Sequence, residues 1–334
     1  MNTSNIIFTV FFIGAILLFA FGLTSLTLDV SAIVIGLIML VMAGDKLVHS
    51  ASIIGAKMGW SPVLIGILIV GLGTSAPEII TVAIAGSQDA GDLALGNIFG
   101  SNIANIGLIL GVGLLMLKQP IATHDKWEEY LSLIVATLAM ITVVWFYGKV
   151  DVAISVLLLI GLGYYLYTTI KGNTLETEND PDLDILNANK EPWTPLLIGT
   201  AVGLAGLLIG ANILVDGAVH IATSMGIPQK VIGLTIIAIG TSLPELAAAY
   251  ASAKKGYGDL ILGNVLGSNV FNLLAASSAG GVFATLPTVN VETDVLIMGA
   301  FTTAVLLLMY KTVPAKALGV MLIASYAGFL VFTI

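Results

Sequence analysis

The stretch Gly73-Thr74-Ser75-Ala76-Pro77-Glu78 returns 167 residues later as Gly240-Thr241-Ser242-Leu243-Pro244-Glu245. Both copies lie inside long apolar segments, where an ionisable side chain is expensive and marks a functional position by default. A second pattern keeps the offset. Gly96-Asn97-Ile98-Phe99-Gly100-Ser101-Asn102-Ile103-Ala104-Asn105 is matched without a gap by Gly263-Asn264-Val265-Leu266-Gly267-Ser268-Asn269-Val270-Phe271-Asn272. The same offset aligns Leu47-Val48 with Leu214-Val215, and Leu64-Ile65-Gly66 with Val231-Ile232-Gly233. A duplicated membrane unit with one carboxylate at mid-depth in each copy points to a transporter built around a central cation site.

Composition sets the class. Of 334 residues, 57% are hydrophobic and 10% charged, and the mean hydropathy is +1.04. Soluble domains carry about 25% charged residues, so the chain is expected to be an all-α polytopic membrane protein. Cysteine is absent, which excludes disulfides, thiolate metal sites and cysteine nucleophiles. All basic residues are lysine, so no guanidinium clamp for phosphate is available, and a net charge of −8 argues against a nucleic-acid partner.

A spanning helix needs about 20 apolar residues. Apolar runs between polar or Pro/Gly breaks predict about eleven spans, near 5–26, 29–55, 61–87, 91–117, 127–147, 150–170, 194–224, 228–253, 258–284, 292–310 and 314–333. The first lacks a basic leader and a clear small-x-small cleavage site, and it reads as a true span rather than a secretory signal. With eleven spans, Lys57, Lys118, Lys126, Lys171, Lys190, Lys254, Lys255, Lys311 and Lys316 share one side, against Lys149 and Lys230 on the other. That bias puts the N-terminus in the cytoplasm and the C-terminus outside.

Each repeat then holds five helices. Five is odd, so the second copy enters the membrane upside down, an inverted repeat with its substrate site at the midplane. The expected units are an extra N-terminal helix (1–28), a first repeat (29–170), an acidic cytoplasmic linker (171–193) and a second repeat (194–334). Within the linker, Asp180, Asp182, Asp184 and Glu191 match ligand positions of a calcium-binding helix-loop-helix. Ile185 stands where that loop needs glycine, and a solvated linker is the better reading.

The residue types suit cations. Thr74 and Ser75 fall four and three positions before Glu78, on its helical face. Pro77 removes a backbone donor, so the Gly73 carbonyl loses its helical partner; Pro244 does the same beside Thr241, Ser242 and Glu245. Free backbone of this kind survives at membrane depth only where protein or a water-filled cavity satisfies it. On the next helix Ser101 and Asn105 share a face, as do Ser268 and Asn272. The pairs Gly96/Gly100 and Gly263/Gly267 permit close helix contact, expected to bring that face against the Glu-bearing helix. Hard cations such as Ca²⁺ take about six to eight oxygens, and two carboxylates balance one Ca²⁺ or two Na⁺. A single intramembrane glutamate would fit a hydrogen-bonded, protonated side chain as well; symmetric recurrence favours the site.

These motifs resemble the two alpha-repeats of the calcium/cation antiporter superfamily, in its sodium/calcium exchanger branch, over nearly all the chain after residue 28. The resemblance implies Na⁺-driven Ca²⁺ transport by alternating access, with Ca²⁺ and Na⁺ as transported ions, no cofactor and no enzymatic reaction. It makes Glu78 and Glu245 shared carboxylate ligands, with the Thr74 and Thr241 carbonyls completing the Ca²⁺ shell and Ser75 and Ser242 lining the same loops. Gly71 and Ala238 would lend carbonyls, and Ser101 and Ser268 side-chain oxygens, to flanking Na⁺ sites. Asn105 and Asn272 would sit between them. Potassium-dependent and some prokaryotic members carry aspartate where this chain has Asn272, so the motif implies potassium independence. The expected setting is a prokaryotic inner membrane, with the lipid bilayer as surroundings and a monomer as the unit.

The rival is a cation/proton antiporter using the same glutamates as proton carriers; proton-coupled relatives carry different motifs around their acids. A channel would need a continuous pore, and an intramembrane enzyme would not need carbonyl-exposing Thr-Ser-Pro turns. Asp45, Lys46 and His49, with Asn212, Asp216 and His220, are expected near helix ends as interfacial anchors, and Trp60, Trp127 and Trp193 at helix starts as membrane-interface residues.

Overall fold

The computed structural model describes residues 26–88, 90–118, 127–172, 191–227, 236, 238–289, 291–310 and 313–333. The first expected span up to residue 25, residues 173–190 of the linker and most of 228–237 lie outside the described residues.

In chain order the helices are α1 (Leu26–Met58), α2 (Pro62–Thr74), α3 (Ala76–Ser87), α4 (Gly91–Met116), α5 (Trp127–Tyr147), α6 (Val152–Gly172) and α7 (Trp193–Ser224). They continue with α8 (Ala238–Thr241), α9 (Leu243–Lys255), α10 (Gly258–Phe283), α11 (Glu292–Met309) and α12 (Ala315–Thr333). Among the described residues eight helices are long and apolar enough to cross a membrane, or nine if the bent pair α2 and α3 is one crossing.

Burial sorts these helices. The most apolar 18-residue stretch of α10 is 94% buried and that of α4 78%, whereas α12 buries 22%. The two helices bearing the Gly-Asn-x-x-Gly-Ser-Asn-x-x-Asn motif are therefore central, and the outer helices present apolar faces suited to lipid. The main apolar core is built around α4 and α10, from Ile98, Phe99, Ile103, Val265, Leu266 and Val270 among others. Helices α1 and α7 pack against each other along most of their length.

The interruptions follow the sequence. Chain direction changes by 43° between α2 and α3, at Ser75 (φ −82°, ψ −1°), and Pro77 sits in the first turn of α3, where a missing N–H removes no helical bond. The equivalent Ser242 (φ −92°, ψ 4°) separates α8 from α9, with Pro244 in the first turn. Within α4 and α10 the ladder slips to wider π turns at Asn105–Leu110 and Asn272–Ala276, a distortion common at functional sites. All four breaks thus fall at positions related by the 167-residue offset.

Close approach explains the glycines. A Cβ on Gly66 would sit 2.5 Å from the Leu260 carbonyl oxygen, one on Gly263 would run into that of Val63, and one on Gly267 would lie 2.9 Å from Ile67 Cα. Helix α10 thus presses backbone to backbone on α2. The expected close contact with a Glu-bearing span is made across copies: Gly263 and Gly267 lie against the opposite copy, on the segment of that span before its break, whereas an added carbon on Gly96 or Gly100 would meet no described atom within 4 Å. Reciprocally, α8 packs on α4.

A second feature has no counterpart in the apolar pattern. Lys149–Val150 (β1) pairs antiparallel with Leu286–Pro287 (β2), fastening the α5–α6 turn to the segment after α10. Asp151 caps α6 by accepting from the Ile154 N–H at 3.1 Å, and it pairs with Lys149 at 3.1 Å. Both contacts, the backbone bond first, hold its carboxyl below the usual range.

The polar residues of α1 are not at its end. The helix continues to Met58, so Asp45, Lys46 and His49 are interior, and Asp45 reaches Lys254 of α9 at 3.7 Å. His220, near the end of α7, pairs with Asp29 at 3.3 Å. Trp127 and Trp193 open their helices, and the Lys57 ammonium lies 5.3 Å from the Trp193 ring.

The backbone contact yields a stability prediction. Gly263→Ala must separate α10 from α2, and overpacking of this kind costs about 1–3 kcal/mol. Gly161→Ala, with no described atom within 4 Å of the added carbon, is the control. Melting of the purified chain in detergent should fall clearly for Gly263→Ala and not for Gly161→Ala; equal melting would refute the close crossing.

Candidate functional site

Four segments converge at the breaks. Within each copy the Glu-bearing helix lies against the Ser/Asn helix, α3 on α4 and α9 on α10, while α2 lies on α10 and α8 on α4 across copies. Glu78 and Glu245, in the first turns of α3 and α9, are 1% and 2% exposed. Ser75, three residues before Glu78, reaches the Glu245 carboxylate, which places the two acids in one region.

Hydrogen bonds tie the copies together here. Ser75 Oγ donates to Glu245 Oε1 at 3.4 Å, and Ser268 Oγ to the Gly71 carbonyl at 3.3 Å. Asn105 Nδ2 donates to Asn269 Oδ1 at 3.1 Å. Thr74 Oγ1 turns back to the Val70 carbonyl at 2.9 Å and lies 3.5 Å from Asn264 Oδ1. Its hydroxyl hydrogen is therefore engaged within the protein, and its oxygen keeps only accepting lone pairs.

The electrostatics are one-sided. No lysine or histidine among the described residues forms an ion pair with Glu78 or Glu245. Burying an ionised carboxylate without a partner costs several kcal/mol, so the pair requires cations or protons. Glu78 Oε2, Glu245 Oε2, Asn105 Oδ1, Asn272 Oδ1, Ser101 Oγ and Ser242 Oγ are all buried without a protein hydrogen-bond partner. Buried polar atoms are nearly always paired, so these oxygens are open to a cation, a proton or a water. The described residues contain no group of three or more His, Asp or Glu side chains positioned for a metal. Neutral oxygens must therefore supply most of a ligand shell around the two carboxylates.

Contacts tie Thr74, Ser75, Asn105 and Gly71 of the first copy to Asn264, Glu245, Asn269 and Ser268 of the second, and Glu78, Ser101, Ser242 and Asn272 are buried as well. Gly71 closes the π turn of α2, and its carbonyl accepts from the Ser75 N–H at 3.0 Å as well as from Ser268. Ala238 and Thr241 are the first and last residues of α8. Two further residues were missed. Asn264 lies between Thr74 Oγ1 and the Glu245 carbonyl, 3.5 Å from each, and Asn269 accepts from Asn105. Their signal was present, since both stand inside the duplicated motif, but their partners belong to other helices.

Central helices broken at buried carboxylates, ringed by acceptor oxygens, define a membrane transporter for cations. The sodium/calcium exchanger protein family model matches residues 28–171 and 195–334, and the chain belongs to that family. It is similar to the putative antiporter CaxA of Alkalimonas amylolytica, 36% identical over 89% of this chain and 96% of that one. It is 30% identical to the sodium/calcium exchanger MaX1 of Methanosarcina acetivorans, over 77% of this chain and 84% of the relative. The sodium-calcium exchanger NCX_Mj, solved after soaking with Na⁺ and Sr²⁺, matches with a TM-score of 0.79 and 32% identity, over 91% of this chain and 97% of that one.

A cation at these oxygens must stabilise the fold. At a hundred times Kd the linkage is about 2.7 kcal/mol, enough to raise the melting temperature measurably. Glu78→Gln and Glu245→Gln should each stay folded and lose most of the Ca²⁺-induced rise; a full rise in either variant would remove that glutamate from the site.

Proposed function

We propose that this chain is a secondary antiporter exchanging Na⁺ for Ca²⁺ by alternating access around Glu78 and Glu245. The observation that carries this is the buried, unpaired pair of carboxylates among partnerless Asn and Ser oxygens. In this reading the two carboxylates, with the Thr74 and Thr241 carbonyls, hold Ca²⁺. Gly71 and Ala238 give carbonyls, and Ser101 and Ser268 hydroxyls, to flanking Na⁺ positions. Ser75 and Ser242 line the turns, and Asn105 and Asn272 lie between the Na⁺ positions. One Ca²⁺ or two Na⁺ balance two carboxylates, so the ions compete for the same ligands. Sodium is preferred over the proton as coupling ion because a proton carrier has no use for the neutral oxygens around each glutamate.

The same reading takes the whole architecture as eleven spans, an extra helix at 1–28 followed by inverted five-helix repeats at 29–170 and 194–334, joined by the linker 171–193. Breaks that recur at the 167-residue offset and pack crosswise support it. The lysine distribution supports a cytoplasmic N-terminus and an outward C-terminus in a prokaryotic inner membrane, with a monomer as the working unit. Asn272, neutral where potassium-dependent members carry aspartate, supports potassium independence.

The deciding test is ⁴⁵Ca²⁺ uptake into proteoliposomes under an outward Na⁺ gradient or a pH gradient, at equal ionic strength and clamped voltage. Uptake driven only by Na⁺ is expected; uptake driven only by pH would recast Glu78 and Glu245 as proton carriers. Replacing K⁺ with choline on both sides should leave the Na⁺-driven rate unchanged, and a requirement for K⁺ would overturn the reading of Asn272.

A further inference from the structure

A carboxamide presents an accepting oxygen at one end of a short fork and two N–H donors at the other. Only the oxygen end of Asn105 can serve a cation, and nothing intrinsic to asparagine selects it. The selection is visible in the second copy. Asn105 Nδ2 donates to Asn269 Oδ1 at 3.1 Å, and Asn105 Oδ1 is left buried with no partner. Asn105 and Asn269 are 1% and 0% exposed, so the bond is sheltered from bulk water.

We propose that Asn269 is a positioning residue that sets the amide orientation of Asn105 and so makes it a cation ligand. The inference rests on the reading of Asn105 as part of the ion site. Asn269 Nδ2 has no partner, so the reverse arrangement is open to the pair: Asn269 would donate to Asn105 Oδ1, and the Asn105 N–H groups would turn toward the ions. Aspartate at 269 can accept and cannot donate when ionised, which removes the reverse arrangement.

The twin position provides an internal control. Asn102, related to Asn269 by the 167-residue offset, donates Nδ2 to the Ile98 carbonyl of its own helix at 2.7 Å, and its Oδ1 accepts from nothing. Asn102 therefore does not orient Asn272, although it is equally buried at 1% exposure. The two central carboxamides are held unequally, one across the copies and one not.

The test is equilibrium ⁴⁵Ca²⁺ binding to the purified full chain at fixed Na⁺. Removing the partner that orients a metal ligand costs about 10–100-fold in affinity, so Asn269→Leu should raise Kd at least about tenfold. Asn269→Asp should bind as tightly as wild type or more tightly, and Asn102→Leu should stay within about threefold. Asn105→Ala should weaken binding, and adding Asn269→Leu to it should change nothing further. Wild-type affinity in Asn269→Leu, multiplicative losses in the double variant, or Asn269→Asp as weak as Asn269→Leu would each overturn the inference. Should Asn269→Leu fail to fold, Asn269→Ala takes its place in the cycle and Asn269→Asp decides alone if neither folds. Absence of Ca²⁺ binding by the wild type would instead strike the proposed function itself.

Discussion

Two carboxylates buried near each other, with no basic partner among the described residues, set the terms for the rest of this molecule. At 1% and 2% exposure, Glu78 and Glu245 are cut off from water, and their mutual repulsion is far less screened than at a surface. A buried ion pair with lysine would relieve it, yet every described ion pair lies elsewhere. The compensating groups are neutral: serine hydroxyls, asparagine carboxamides and the backbone freed at the breaks. Such groups can reduce the desolvation of a carboxylate but cannot cancel its charge. The remaining charge is the binding energy offered to a cation.

Placing those groups requires backbones closer than side chains allow. Gly66, Gly263 and Gly267 bring α2 against α10 until an added carbon would meet a carbonyl oxygen or a main-chain carbon. Such contact carries Ser268 to the Gly71 carbonyl and Asn269 to Asn105, and Ser75 reaches Glu245 across the same interface. The breaks then have a local cause. Proline sits in the first turn of α3 and α9, where it costs that helix no bond and cannot donate back across the break, and the π turns beginning at Asn105 and Asn272 widen the central helices where their carboxamides are buried. Binding chemistry and fold share residues, so a substitution that loosens the glycine contact also disperses the ligands.

Much of this was legible in the sequence because it is local. The 167-residue offset located both breaks and the central helices, and apolar runs located the described spans to within a few residues. The misses are of another kind. Two-residue strands leave no periodic trace, and pairing of Lys149–Val150 with Leu286–Pro287 depends on where two distant loops end. The glycine pair was recognised as a contact surface, but the helix it contacts is fixed by how the copies interlock. Asn264 and Asn269 stood in the motif, yet their roles arise from partners on other helices, and spacing along one helix says nothing of those. Asp45 was expected near a helix end; α1 runs on to Met58, and Asp45 stays partly exposed, 3.7 Å from Lys254.

The same electrostatics supply a reason for strict exchange in the proposed function. A site with two buried negative charges and no resident cation is least stable when it is closed to water, because closure removes the solvent that screens the pair. Loading with one Ca²⁺ or two Na⁺ brings the formal charge to zero and lowers the barrier to closing; loading with a single Na⁺ leaves one charge uncompensated. On that proposal, passage between the two faces is favoured for loads that compensate both charges. In the proposed function, charge compensation at Glu78 and Glu245 contributes to coupling. A third carboxylate at position 272 would change the balance, since it would require another positive charge for the same neutrality. Asparagine there keeps the count at two, and in the proposed function selectivity rests on that count together with the oxygens that surround it.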